Sequence, residues 1–213
     1  MFEKFNLYCE RIGSGLWDEP VNAFTNFAFL ISAWLVWRLA KQLQLNSVGT
    51  GLLTALIGLI AIGSFLFHTF ATGWAQILDI APILLFQLLF LWVYFRQIAH
   101  MRSGYIVGIL LLYFVAAIVG RQLPHLLNGS LIYAPAALVI FATGIYHYAT
   151  EKEERYLILA ATLVFFISLT FRTIDNAICQ NFPLGSHFLW HICNAILLYL
   201  LMRALLLNKS VEG

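Results

Sequence analysis

Apolar residues run along this chain in seven long stretches separated by short polar breaks, the pattern of a bundle that crosses a membrane seven times. The stretches fall at about 22–40, 49–70, 74–98, 104–120, 131–149, 155–174 and 186–207, each near the ~20 residues that one span requires. The breaks carry helix-ending and turn-forming residues: Asn46-Ser47, Thr72-Gly73, Arg102-Ser103-Gly104, Asn128-Gly129-Ser130, the cluster Glu151 to Arg155, and Pro183-Leu184-Gly185. There is no internal repeat. The pattern predicts an all-α fold, an integral membrane bundle of seven transmembrane helices, with residues 1–213 as one membrane domain and 1–21 as an outer N-terminal arm.

Composition excludes the soluble alternative, because 62% of the residues are hydrophobic and 10% charged. A soluble chain of this length cannot hide that much apolar surface. The net charge of +2 is small and scattered, which argues against a nucleic-acid partner. Met1 to Glu19 is polar and mixed in charge rather than basic then apolar, so the first apolar run is expected to remain as a helix. Lys4, Arg11, Arg121 and Arg172 fall on the N-terminal side of the bundle. Arg38, Lys41, Arg96, Arg102, Lys152, Arg155, Arg203 and Lys209 fall on the other. The excess of positive charge belongs in the cytoplasm, which predicts an outer N-terminus and a cytoplasmic C-terminus.

Against this apolar background a few polar residues stand out: Ser64, His68 and Asp79 in the first half, and His187 with His191 near the end. An ionisable group inside a membrane costs about 2.5–3.5 kcal/mol or more, so such residues generally have partners and a task. His187 and His191 lie one helical turn apart on one face. With seven alternating spans, all five residues fall near the outer ends of their helices. Asp79 and His191 each lie five residues beyond their helix starts, about 7–8 Å deep at 1.5 Å per residue. His68 is at a similar depth below Thr72-Gly73. Three neutral imidazoles suit zinc and leave a fourth position open. Asp79 is placed to take a proton from a metal-bound water or to fix a histidine through its second nitrogen, and Ser64, one turn before His68, to donate to a developing oxyanion. The combination predicts metal-assisted hydrolysis of an amide or ester.

At these residues the chain resembles the alkaline ceramidases, within a wider superfamily that includes the adiponectin- and progestin-type receptors. The matching elements are Glu19-Pro20-Val21-Asn22 leading into Thr25-Asn26, Ser64 with His68 four residues on, Asp79, Ile174-Asp175-Asn176 with Cys179, and His187 with His191. The resemblance implies a zinc-dependent membrane hydrolase that cleaves the amide of ceramide, or of a related N-acyl lipid, to a fatty acid and a sphingoid base or amine. His68, His187 and His191 would bind zinc, Asp79 would act as acid and base, and Ser64 would support the oxyanion. Eukaryotic members also carry an acidic N-terminal calcium site. Glu10 and Glu19 match its frame, whereas Leu7 and Ile12 stand where acidic and amide ligands are expected. Glu10 and Glu19 are therefore the calcium candidates. The family pattern further implies a disulfide between Cys9 and Cys179, both on the predicted outer side, where disulfides persist.

The remaining polar residues fit structural roles. His100, His125 and His147 sit at span ends or in loops and read as interfacial, Asp175 as a partner of Arg172 or a cap for the following loop, and Cys193 as packing. The predicted partner is a membrane lipid, with no obligatory protein partner. Two other readings compete: a receptor-like lipid-binding protein of the same superfamily with a structural zinc, and a haem-binding electron carrier. A haem needs one ligand on each of its faces, whereas His187 and His191 share one helix face.

Overall fold

In the computed structural model, which describes residues 4–45, 47–124 and 126–211, the chain is a bundle of α-helices with seven stretches long and apolar enough to cross a membrane. The first is broken in two, α1 (Pro20–Thr25) and α2 (Phe27–Gln42). Pro20 opens α1, where its missing N–H is harmless. The carboxylate of Glu10 accepts from the backbone N–H groups of Val21 and Asn22 at 2.7 and 2.8 Å, supplying the cap from 11 and 12 residues upstream. The Asn26 side chain donates to the Asn22 carbonyl at 2.8 Å, between the two helices.

Ser47 caps α3 (Val48–Phe70) by accepting from Thr50 N–H, and α3 ends at Ala71 in the left-handed region, φ 50°. After this tight turn α4 (Gly73–Gln97) runs back along α3. The N-terminal arm reaches the same turn, with Phe5 N–H donating to the Ala71 carbonyl at 2.8 Å. Pro82 lies inside α4 and cannot donate to the Leu78 carbonyl. That carbonyl faces Gly63 of α3, where a Cβ atom would come within 2.0 Å of it. The α3–α4 contact is therefore close enough to require glycine, as in small-residue contacts between membrane helices.

α5 (Ser103–Arg121) is the most lipid-exposed span, with residues such as Leu111 and Leu112 facing outward. It leads into a 3₁₀ segment, Leu126–Tyr133, in which Leu127, Asn128 and Gly129 adopt positive φ. Side chains of the sixth span hold this turn. Arg172 Nη1 donates to the Asn128 carbonyl and to Ser130 Oγ, each at 2.9 Å, and Thr173 Oγ1 donates to Ser130 Oγ at 2.8 Å. α6 (Ala134–Ala149), α7 (Leu157–Ile178) and α8 (His187–Val211) complete the bundle.

The seven observed spans correspond one to one with the seven expected from the apolar pattern. Their ends differ by a few residues where a polar side chain is satisfied inside a helix. α7 continues through Asp175 to Ile178 because that carboxylate is buried and fully engaged. α8 is the most enclosed span, packed between α2 and α7, and its Leu201, Met202, Leu205 and Leu206 are buried.

Candidate metal centre

Three helix ends converge at one end of the bundle. His68, near the end of α3, and His187 and His191, on the first turns of α8, are all buried, and one ligand atom from each lies within 4.8 Å of the others. His68 Nε2 and His191 Nε2 are 3.1 Å apart. Two ligands at 2.0–2.1 Å from a tetrahedral zinc stand about 3.3 Å apart, so this spacing fits one ion between them.

The proton inventory makes the same point. His68 Nδ1 faces a Glu19 carboxylate oxygen at 2.5 Å, an acceptor, so Nδ1 carries the proton and Nε2 the lone pair. Thr25 Oγ1 uses its one proton toward the Val21 carbonyl at 2.8 Å, so at 3.0 Å it accepts from His191 Nδ1. His191 Nε2 therefore also presents a lone pair. Two facing lone pairs at this distance repel unless a cation lies between them. His187 Nδ1 is buried and has no hydrogen-bond partner among the described residues. Three convergent imidazoles without enough donors to satisfy them are compatible with a bound metal ion.

The surroundings hold these rings in place. Glu19 bridges His68 and the Arg11 guanidinium, and Arg11 also donates to the His68 carbonyl at 2.8 Å. Burial alone raises the Glu19 carboxyl, but the hydrogen bonds from His68 and Arg11, with the Arg11 charge, outweigh it and leave it below its ordinary range. Burial pushes the Tyr8 phenol up, and its ring stacks on His187 with centroids 3.7 Å apart. Asp175 Oδ1 accepts from Ser186 N–H at 2.7 Å and His187 N–H at 2.9 Å, at the positive end of α8. Its other oxygen accepts from Cys9 N–H at 3.0 Å, and a disulfide joins Cys9 to Cys179 with Cα atoms 5.3 Å apart. The arm, the end of α7 and the start of α8 are thereby tied together over the histidines.

Ser64 and Asp79 line a cavity together with His187 and His191, and the Ser64 hydroxyl lies against the Asp79 carboxylate. The cavity descends between α3, α4, α6, α7 and α8 past Phe86, Phe90 and Phe165 to Leu201. From His191 to Leu201 is ten residues, about 15 Å along the helix. That is half of a ~30 Å hydrocarbon core, the depth of one leaflet.

Both calcium candidates already have protein partners among the described residues. Glu10 is engaged by the start of α1, and burial raises its carboxyl even though Val21 and Asn22 donate to it. Glu19 faces Arg11 and His68. Asp175 does not pair with Arg172; it caps α8. His147 is buried at the opposite end of the bundle, accepting or donating to Tyr94 Oη at 2.8 Å, rather than interfacial. Cys193 is a free, half-buried thiol in α8. His125 lies outside the described residues. Tyr8, Arg11, Thr25 and the placement of Glu19 were not foreseen. One signal was available: Glu19 stands immediately before a helix-opening proline, in an arm where Arg11 is a nearby cation.

The family model described as Ceramidase matches residues 8–212, nearly the whole chain. No curated protein and no solved structure matches it.

Proposed function

The chain belongs to the ceramidase family, and from that premise we propose that it is a zinc-dependent amidase that hydrolyses ceramide or a related N-acyl lipid within the membrane. Membership supports a hydrolase acting on lipid amides. The zinc assignment rests on one observation above others, the three buried imidazoles whose candidate ligand atoms lie within 4.8 Å of one another, with His187 Nδ1 left without a partner among the described residues. The donor set fits zinc better than calcium, since calcium prefers hard oxygen ligands and zinc readily takes nitrogen.

His68, His187 and His191 would hold the metal, which supplies Lewis acidity at one open position. Glu19 and Thr25 fix the tautomers of His68 and His191 by occupying their outer nitrogens. The acyl chain lies in the apolar cavity toward Leu201, which brings its amide carbon to the level of Asp79 and Ser64. Asp79 takes a proton from the attacking water as the carbon–oxygen bond forms. It then delivers that proton to the amide nitrogen as the carbon–nitrogen bond breaks, releasing a fatty acid and an amine. Ser64 donates a hydrogen bond to the oxygen on which negative charge develops. The positive-charge asymmetry supports an outer location for this site and for the N-terminus.

The deciding experiment incubates detergent-purified protein with ceramides of several chain lengths, with and without a zinc chelator, and quantifies free fatty acid by mass spectrometry. Release that stops on chelation and returns with added zinc is the expected result. Fatty-acid release unaffected by full metal removal would overturn the zinc mechanism.

A further inference from the structure

Arg172 is a cation beside this site that the chemistry above does not use. It lines the same cavity as Asp79, Ser64, His187 and His191. Its guanidinium carbon sits over the rings of Tyr133 and Trp190, 5.2 and 5.9 Å from their centroids. Among the described residues no carboxylate forms an ion pair with it. Asp175, one turn further along α7, is occupied by Ser186, His187 and Cys9. Only Nη1 is committed to the backbone and side chain of the 3₁₀ turn. Even with Tyr133 as a further partner, some of the five N–H donors of a guanidinium remain for a ligand.

The level of Arg172 tells which half of a substrate it meets. Ser168 Oγ touches the Trp190 carbonyl at 3.2 Å, and Ser186 Oγ touches the Phe171 carbonyl at 2.6 Å. Antiparallel α7 and α8 thus place Arg172 beside Ser186, five residues or about 7–8 Å outward of His191. The acyl cavity runs in the opposite direction, toward Leu201. With the scissile amide at the histidines, the amine half of the substrate lies against Arg172. A planar guanidinium recognises a carboxylate or phosphate by paired hydrogen bonds, and aromatic walls that exclude water strengthen the contact.

Resting on the lipid-amidase reading, we propose that the preferred substrates carry an anionic oxygen group, carboxylate or phosphate, on the amine side of the amide, and that Arg172 selects for it. Neutral ceramide is then a poorer substrate than an acidic N-acyl lipid of equal chain length.

The test measures kcat/KM for three palmitoyl amides: a ceramide, N-palmitoylglycine and phosphorylated N-palmitoylethanolamine. The two acidic substrates distinguish carboxylate from phosphate recognition. The wild-type protein is expected to favour at least one of them by about tenfold or more, the size of a hydrogen bond to a charged group. Arg172→Met should abolish that ratio and Arg172→Lys should retain part of it. The ratio is insensitive to a misfolded fraction, which lowers all three rates equally. Equal wild-type rates, or a ratio unchanged in Arg172→Met, would overturn the proposal. Calorimetric binding of N-palmitoylglycine and neutral N-palmitoylethanolamine to the same proteins separates the two readings. If neither is cleaved but the acid still binds more tightly through Arg172, the amidase reading fails and the recognition stands. Equal binding with no cleavage refutes both.

Discussion

Replacing Gly63 with alanine tests how Asp79, the proposed proton carrier, is held against the three histidines. The new Cβ would lie 2.0 Å from the Leu78 carbonyl oxygen, 2.6 Å from its carbon and 3.1 Å from Asp79 N. A relaxed carbon–oxygen contact needs about 3.3 Å, so α4 must retreat from α3 by about 1 Å at Asp79 itself. Neighbouring backbone offers no flexible side chain to absorb the shift. The overpacking cost is about 1–3 kcal/mol in stability. The functional cost is larger, because a misplacement of about 1 Å at a reacting group can reduce turnover by about 100-fold. His68, His187 and His191 stand on α3 and α8 rather than α4, so metal content should stay near that of the wild type. The assay is fatty-acid release per protein, paired with metal analysis and a thermal melt. Gly58→Ala is the control, since nothing lies within 4 Å of its added Cβ. Wild-type turnover in Gly63→Ala would refute the reasoning, as would loss of metal in step with activity, which would mean that the histidines had moved instead of Asp79.

Three further outcomes follow from the same geometry. Asp79→Asn should retain metal but lose at least about 100-fold in turnover, the scale of general acid–base catalysis, and full activity would remove Asp79 from the mechanism. Glu19→Gln weakens the hold on His68 Nδ1 and strands Arg11, so metal affinity should fall about 10- to 100-fold in a competitive chelator titration. Unchanged affinity would show that the carboxylate serves the arm alone. Cys9→Ser opens a bridge that closes 170 residues of sequence and anchors the arm carrying Tyr8 over His187. It should cost about 2–5 kcal/mol of stability, read as a lower melting temperature that added reductant no longer changes.

The seven spans and their order are legible along the chain, because transfer into lipid is decided residue by residue and sums over each stretch. The His187–His191 pair is legible as well, since a four-residue separation on a helix fixes a shared face whatever surrounds it. A common depth for Ser64, His68, Asp79 and these two histidines follows from span counting. Which helices become neighbours does not. Only packing brings the end of α3 against the start of α8, and it depends on details such as a glycine opposite a carbonyl that Pro82 has left without its helix partner. The N-terminal arm was least legible of all. Glu10 and Glu19 read as calcium candidates in a polar segment, and nothing in the sequence points to their protein partners. In the folded chain one caps α1, and the other is drawn between Arg11 and His68. Those partners lie eight and 49 residues from Glu19. Periodicity reports only a segment's own face toward lipid or core, whereas a polar side chain takes its role from whichever donors the tertiary fold brings within 3 Å of it.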